Sequence, residues 1–152
     1  MKKLGLGVCL ISLFPGMLLA QSASEEAFAR VETSVEIGDG LQIITLGGFG
    51  ISDNKVGHLD LVYIESSGRG NTLGIELGGG IAFQAGITFY LGAGALVGYD
   101  SKDDLVGTVY PELGAAVRFT RRFGLVASGK LYADLKGDSE EVLMLGIIWF
   151  VA

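Results

Sequence analysis

Residues 108–134 read Thr108-Val-Tyr-Pro-Glu-Leu-Gly-Ala-Ala-Val-Arg-Phe-Thr-Arg-Arg-Phe-Gly-Leu-Val-Ala-Ser-Gly-Lys-Leu-Tyr-Ala-Asp134. On both sides of a polar centre, apolar and polar residues alternate at period two, the pattern of half-buried strands. Folding the stretch at Arg121 sets Phe119 opposite Phe123, Glu112 opposite Lys130 and Tyr110 opposite Tyr132. Aromatic pairs and an opposite-charge pair are what antiparallel pairing favours. Phe119 and Phe123 fall on odd positions, whereas Glu112, Lys130, Tyr110 and Tyr132 fall on even ones. One face of this hairpin is apolar and the other carries charge.

The same parity runs along much of the chain. Leu61, Leu73, Ile75, Leu77, Ile81, Leu91, Val97, Leu113 and Leu125 are odd, and Ile43, Phe49 and Ile51 are assigned to the same face. Arg30, Glu32, His58, Asp60, Glu76, Glu112, Arg118 and Lys130 are even. Strands are expected at about 27–37, 41–51, 56–65, 72–83, 87–99, 105–119, 123–135 and 141–151, joined by segments rich in Gly, Asp, Asn and Ser. Connections of odd length would keep all apolar residues on one face. Pro111 lies inside the sixth strand and predicts a bulge there.

The 152 residues suit one domain, with a mean hydropathy of +0.49 and 49% hydrophobic residues. Beyond residue 20 there is no unbroken apolar run of the length that a membrane-crossing helix needs. High apolar content without such a run fits alternating strands. Residues 1–20 read as a signal peptide: Lys2 and Lys3, an apolar core from Leu4 to Leu19, and a small residue at Ala20, with cleavage possible up to residue 23. The barrel domain is then 24–152. Cys9 is the only Cys; it lies inside the expected leader, so neither a disulfide nor thiol chemistry is expected of the mature chain. The formal charge is −6, and basic clusters are lacking, which argues against nucleic acid as a partner.

Alternation alone fits a soluble barrel with its apolar face inside, or a membrane barrel with its apolar face outside. Three features favour the second. Phe49, Phe83, Phe89, Phe119, Phe123 and Trp149 gather near one rim on the outward parity, and Tyr63 and Tyr99 near the other, as the two girdles of a membrane barrel do. The even face mixes many glycines with Tyr90, Tyr110 and Tyr132. Closing one hairpin at Ala85 puts Tyr90 opposite Gly80, and closing the next at Lys102 puts Tyr110 opposite Gly94; large beside small is how a narrow interior fills. Several strands also exceed the usual globular length.

With its leader, girdles and alternating strands, the chain resembles the small eight-stranded outer-membrane β-barrels of Gram-negative bacteria. The last strand, Glu141-Val-Leu-Met-Leu-Gly-Ile-Ile-Trp-Phe150, is similar to that family's C-terminal assembly signal, although Val151 and Ala152 follow the Phe. The resemblance implies an all-β, eight-stranded, antiparallel up-and-down transmembrane barrel with a polar lumen filled by side chains. It also implies a monomer in the bacterial outer membrane, in contact with the lipid bilayer and lipopolysaccharide and inserted by the barrel-assembly machinery.

Within the lumen, Arg30, Glu32, Glu76, Glu112, Arg118 and Lys130 are expected to form a charge network, since buried charges must be paired. Its central bridge is expected to be Glu112–Lys130. The turn at Arg121-Arg122 is expected to face the periplasm. No cofactor or metal site is expected. Asp100, Asp103 and Asp104 read as solvated turn acids rather than a calcium loop. Catalysis is not expected either: His58 is the only His, and no nucleophile elbow accompanies it. Three readings follow: a non-catalytic outer-membrane protein with a plugged lumen and a structural or envelope-maintenance role; a narrow ion-conducting pore; and a secreted soluble barrel carrying an apolar ligand.

Overall fold

The computed structural model describes residues 25–35, 41–66, 70–102, 104–134 and 139–151. The expected leader and much of three connections, around 36–40, 67–69 and 135–138, lie outside the described residues. Eight strands follow one another: β1 Glu25–Val35, β2 Leu41–Ser52, β3 Lys55–Ser66, β4 Gly70–Ala85, β5 Ile87–Asp100, β6 Leu105–Arg118, β7 Phe123–Asp134 and β8 Ser139–Phe150. Each pairs antiparallel with its neighbour in sequence, and β1 pairs with β8 from Phe28↔Phe150 to Val35↔Leu143, so the sheet closes into a barrel. Closure leaves no strand edge to template aggregation. A strand of 12 residues, such as β7, is about 40 Å long. Tilted by about 45° it rises about 28 Å, close to the ~30 Å of a bilayer's hydrocarbon.

The opening hairpin forms in the expected register, with Glu112↔Lys130 and Val117↔Leu125 on facing positions. Its tip is closed by Phe119 N–H donating to the Phe123 carbonyl at 3.0 Å. Thr120 Oγ1 accepts from the backbone N–H groups of Arg122 (3.1 Å) and Phe123 (3.0 Å). No bulge forms at Pro111. The β6–β7 register is the same on both sides of it, and the ladder simply skips Tyr110 and Pro111. Pro111 keeps its place opposite Ala93 on the β5 side. The missing N–H thus falls on one ladder only, and no extra residue is needed.

The β4–β5 hairpin closes at Gly86, not Ala85, because Gly86 takes the left-handed φ of +81° that the turn requires. Tyr90 therefore faces Ala82 on β4 rather than Gly80.

The parity of β2 also departs from expectation. Here the odd residues Ile43, Thr45, Phe49 and Ile51 point inward and are buried, while the even Ile44 and Leu46 are exposed. In β1 and β3 the even residues point inward, as Arg30, Glu32, His58 and Asp60 do. The β2–β3 turn is the two-residue Asp53-Asn54, with Asp53 at φ 52°. An even-length turn shifts the phase of alternation, and β2 is offset from both neighbours.

The outer wall is apolar across its middle, and polar residues such as Glu65, Asn71 and Glu141 join it near a rim. Leu73, Leu77, Phe83, Leu105, Leu113 and Phe119 are each at least 60% exposed. Nothing among the described residues covers them. The interior has three layers. Near the end that holds Phe28 and Ile148, a cluster including Phe49, Ile51, Val56, Ala82, Tyr90 and Val126 fills the cross-section. Near the other end, Ile43, Val62, Leu96, Tyr110, Tyr132, Val142 and Met144 do the same. Between them lies the charge.

Candidate lumenal charge layer

Arg30, Glu32, His58, Asp60, Glu76, Glu112 and Lys130 are all buried in this middle layer. Arg30 of β1 reaches across β2 to β3: its Nε donates to Asp60 Oδ1 at 2.9 Å and its Nη2 to Asp60 Oδ2 at 2.5 Å. This fork-on-fork contact is the strongest form of ion pair that Arg makes. Gly47 of β2 makes it possible, since a Cβ there would collide with the Asp60 carboxylate and the β3 backbone. Arg30 Nη1 lies 3.1 Å from Glu32 Oε2, and the guanidinium stacks over Phe49, 5.4 Å from the ring centre. Ser128 Oγ donates to Glu32 Oε1 at 3.1 Å.

His58 links this group to the next. Its Nδ1 is 2.7 Å from Asp60 Oδ2 and its Nε2 is 2.9 Å from Glu112 Oε2. Two carboxylates flanking both ring nitrogens suit the imidazolium, which alone donates from both. Tyr90 O–H donates to Glu112 Oε1 at 3.4 Å. On the far side Lys130 Nζ pairs with Glu76 Oε1, and Tyr132 O–H donates to Glu76 Oε2 at 3.3 Å. Lys130 also lies 5.0 Å from the Tyr110 ring centre. Glycines seat the rings: a Cβ on Gly78 would meet the His58 imidazole, one on Gly94 the Tyr110 ring, and one on Gly114 the Tyr90 ring.

Several expectations are corrected by this geometry. Glu112 and Lys130 are wall neighbours but not a salt bridge; Glu112 turns to His58 and Lys130 to Glu76. Arg118 is not part of the layer. It sits at the mouth, pairs with Glu26 at 2.6 Å and covers Phe28, 5.7 Å from the ring centre. Phe49 is not a girdle residue: the offset of β2 turns it inward, where it is 1% exposed and lies 5.4 Å from the Tyr90 ring. His58, Asp60 and Ser128 belong to the site although the expected network omitted them. The even positions of His58 and Asp60, two apart on one strand face, were the available signal.

The remaining aromatic positions divide between the two rims. Phe83, Phe89, Phe119 and Phe123 are exposed near the end where the chain's last strand finishes. Trp149 is half-buried on the outward register opposite Phe123, while Phe150 packs edge-on against Phe28 with ring centres 5.7 Å apart. Tyr63 and Tyr99 are exposed near the opposite end, each facing Leu73 of β4. Asp100 Oδ1 accepts from the backbone N–H groups of Lys102 (2.8 Å) and Asp104 (3.0 Å), so it closes its own turn. Asp103 lies outside the described residues.

The arrangement defines a class: a closed eight-stranded antiparallel barrel of transmembrane type, with apolar residues outward and ion pairs inward. The chain is similar in fold to a structure from de novo design of transmembrane β-barrels, with a TM-score of 0.57 and 17% identity over 87% of this chain and all of that one. It is similar also to the de novo designed TMB2.3, solved in solution by NMR, with a TM-score of 0.57 and 16% identity over 88% of this chain and 99% of that one. No family model and no curated protein matches the sequence.

Proposed function

We propose that this protein is a monomeric, non-catalytic outer-membrane barrel with a structural or envelope-maintenance role and a lumen closed to solutes. The observation that carries the reading is inverted polarity: exposed Leu, Ile, Val and Phe around the wall, and buried ion pairs within. Lipid is the solvent that accepts such a wall. Lipopolysaccharide and phospholipid are then its neighbours and the barrel-assembly machinery inserts it. The third reading, a soluble carrier, fits less well, because the charge layer occupies the space an apolar ligand would need. The test is fractionation of expressing cells with gel mobility before and after heating. The expected outcome is recovery in the outer membrane and a heat-dependent mobility shift; a protein soluble without detergent ends the reading.

One observation favours a narrow pore as the second reading. The buried hydroxyls of Thr45 and Tyr110 have no hydrogen-bond partner among the described residues, and four carboxylates share the layer with Arg30, Lys130 and His58. Planar-bilayer recording discriminates the two. A plugged barrel is silent both as wild type and as Glu112→Ala; steady cation current in the wild type would establish the pore.

A further inference from the structure

The outer wall is not uniformly filled. On the face of β5–β8 there is a groove of about 550 Å³, lined almost entirely by apolar atoms. That volume falls within the range of about 300–1,000 Å³ usual for small-ligand sites. The register explains the groove. One row across the four strands reads Phe89, Ala115, Ala127, Leu145, so two methyl groups lie between two large side chains. The next row toward the rim brings Val117, Leu125 and Ile147 together, and beyond it stand Phe123 and Trp149. Past them the β6–β7 turn presents Arg121 and Arg122, both exposed and without an ion pair among the described residues. From Ala127 to Arg122 is about 17 Å along the strand, or about 12 Å of depth at a tilt of about 45°, which lies within one leaflet.

We infer that this groove, capped by Arg121 and Arg122, is a binding site for a glycerophospholipid with an anionic headgroup. One acyl chain lies over Ala115 and Ala127 between the Phe89 and Leu145 walls, and the headgroup phosphate meets the two guanidinium groups, which suit phosphate geometry. The inference rests on the membrane reading above. General attraction does not account for such a preference, because the protein's formal charge is −6 and repels anionic lipid. A preference for it must be local.

Trp149 is the only Trp in the chain and stands between the groove and the arginines, so it reports occupancy directly. The protein is folded into phosphatidylcholine vesicles containing increasing fractions of a phospholipid brominated on its acyl chains, either phosphatidylglycerol or phosphatidylcholine. Brominated phosphatidylglycerol is expected to quench Trp149 at about a thirtyfold lower mole fraction than brominated phosphatidylcholine, as two surface arginines near the bilayer imply. Arg121→Gln with Arg122→Gln should abolish that preference while leaving folding intact, since the turn is held by Thr120 and backbone. Ala127→Leu, which fills the groove with both arginines present, should weaken it as well. Equal quenching by the two lipids in the wild type overturns the site, as does a preference that survives the paired arginine change. Absence of quenching by either lipid, together with loss of heat-dependent mobility, overturns the membrane reading itself.

Discussion

Glu76 and Lys130 hold each other inside an apolar wall, and both side chains are fully buried. Removing one partner of a buried pair costs about 3–5 kcal/mol, while removing both costs much less. Glu76→Gln and Lys130→Gln are each expected to destabilise the folded barrel by that order, and the double variant to be milder than either single one. Urea unfolding in vesicles measures this, and a double-mutant cycle gives the coupling. The same cycle on Glu112 and Lys130, neighbours across the β6–β7 ladder, is expected to show weaker coupling, because their partners lie elsewhere. His58→Ala should rank with the most damaging single changes, since it removes a donor from both Asp60 and Glu112.

At the level of the strand, phase decides which substitutions matter. In β2, Ile44 is 42% exposed and Ile43 fully buried. Leu46→Arg, on the same outward face as Ile44 and level with the buried Arg30 layer, is expected to cost about 2–4 kcal/mol, read as reduced folding yield into vesicles. Gly114→Ala drives a methyl group into the Tyr90 ring and is expected to cost about 1–3 kcal/mol. Gly129→Ala, which meets nothing within 4 Å, should leave the unfolding midpoint unchanged. Strand bounds, order and most faces were legible from alternation and turn residues, because one apolar face per strand is a strong and repeated signal. The offset of β2 was legible only weakly: Ile44 and Leu46 are apolar and even, but Phe49 and Ile51 are apolar and odd, and two glycines at 47 and 48 blur the alternation between them. The pairing of charges was not legible. Sequence adjacency and ladder register describe the wall, whereas Arg30, His58 and Lys130 reach across the interior to strands that are not their neighbours.

For the whole molecule, the placement of the start of β1, the end of β8 and the Phe-rich rim at one mouth predicts its orientation in the proposed outer membrane. A single thiol at Arg121→Cys should react with a membrane-impermeant maleimide only after the outer membrane is permeabilised, and one at Lys102→Cys should react in intact cells. The reverse pattern would turn the barrel over. Closing the ring between β1 and β8 has a consequence of its own. Neighbouring hairpins form locally, but this last seam joins distant ends of the chain, and a slip by two residues would preserve every inward and outward face. Apolar packing alone would tolerate that error poorly but would not forbid it. Glu32 would not tolerate it: a slip of two moves it about 7 Å along the strand from Ser128, and Glu26 is carried as far from Arg118, since both contacts span the seam. The ions thus act as a proofreading device for shear, rejecting a ring that has the right strands in the right order but is zipped one notch out of step.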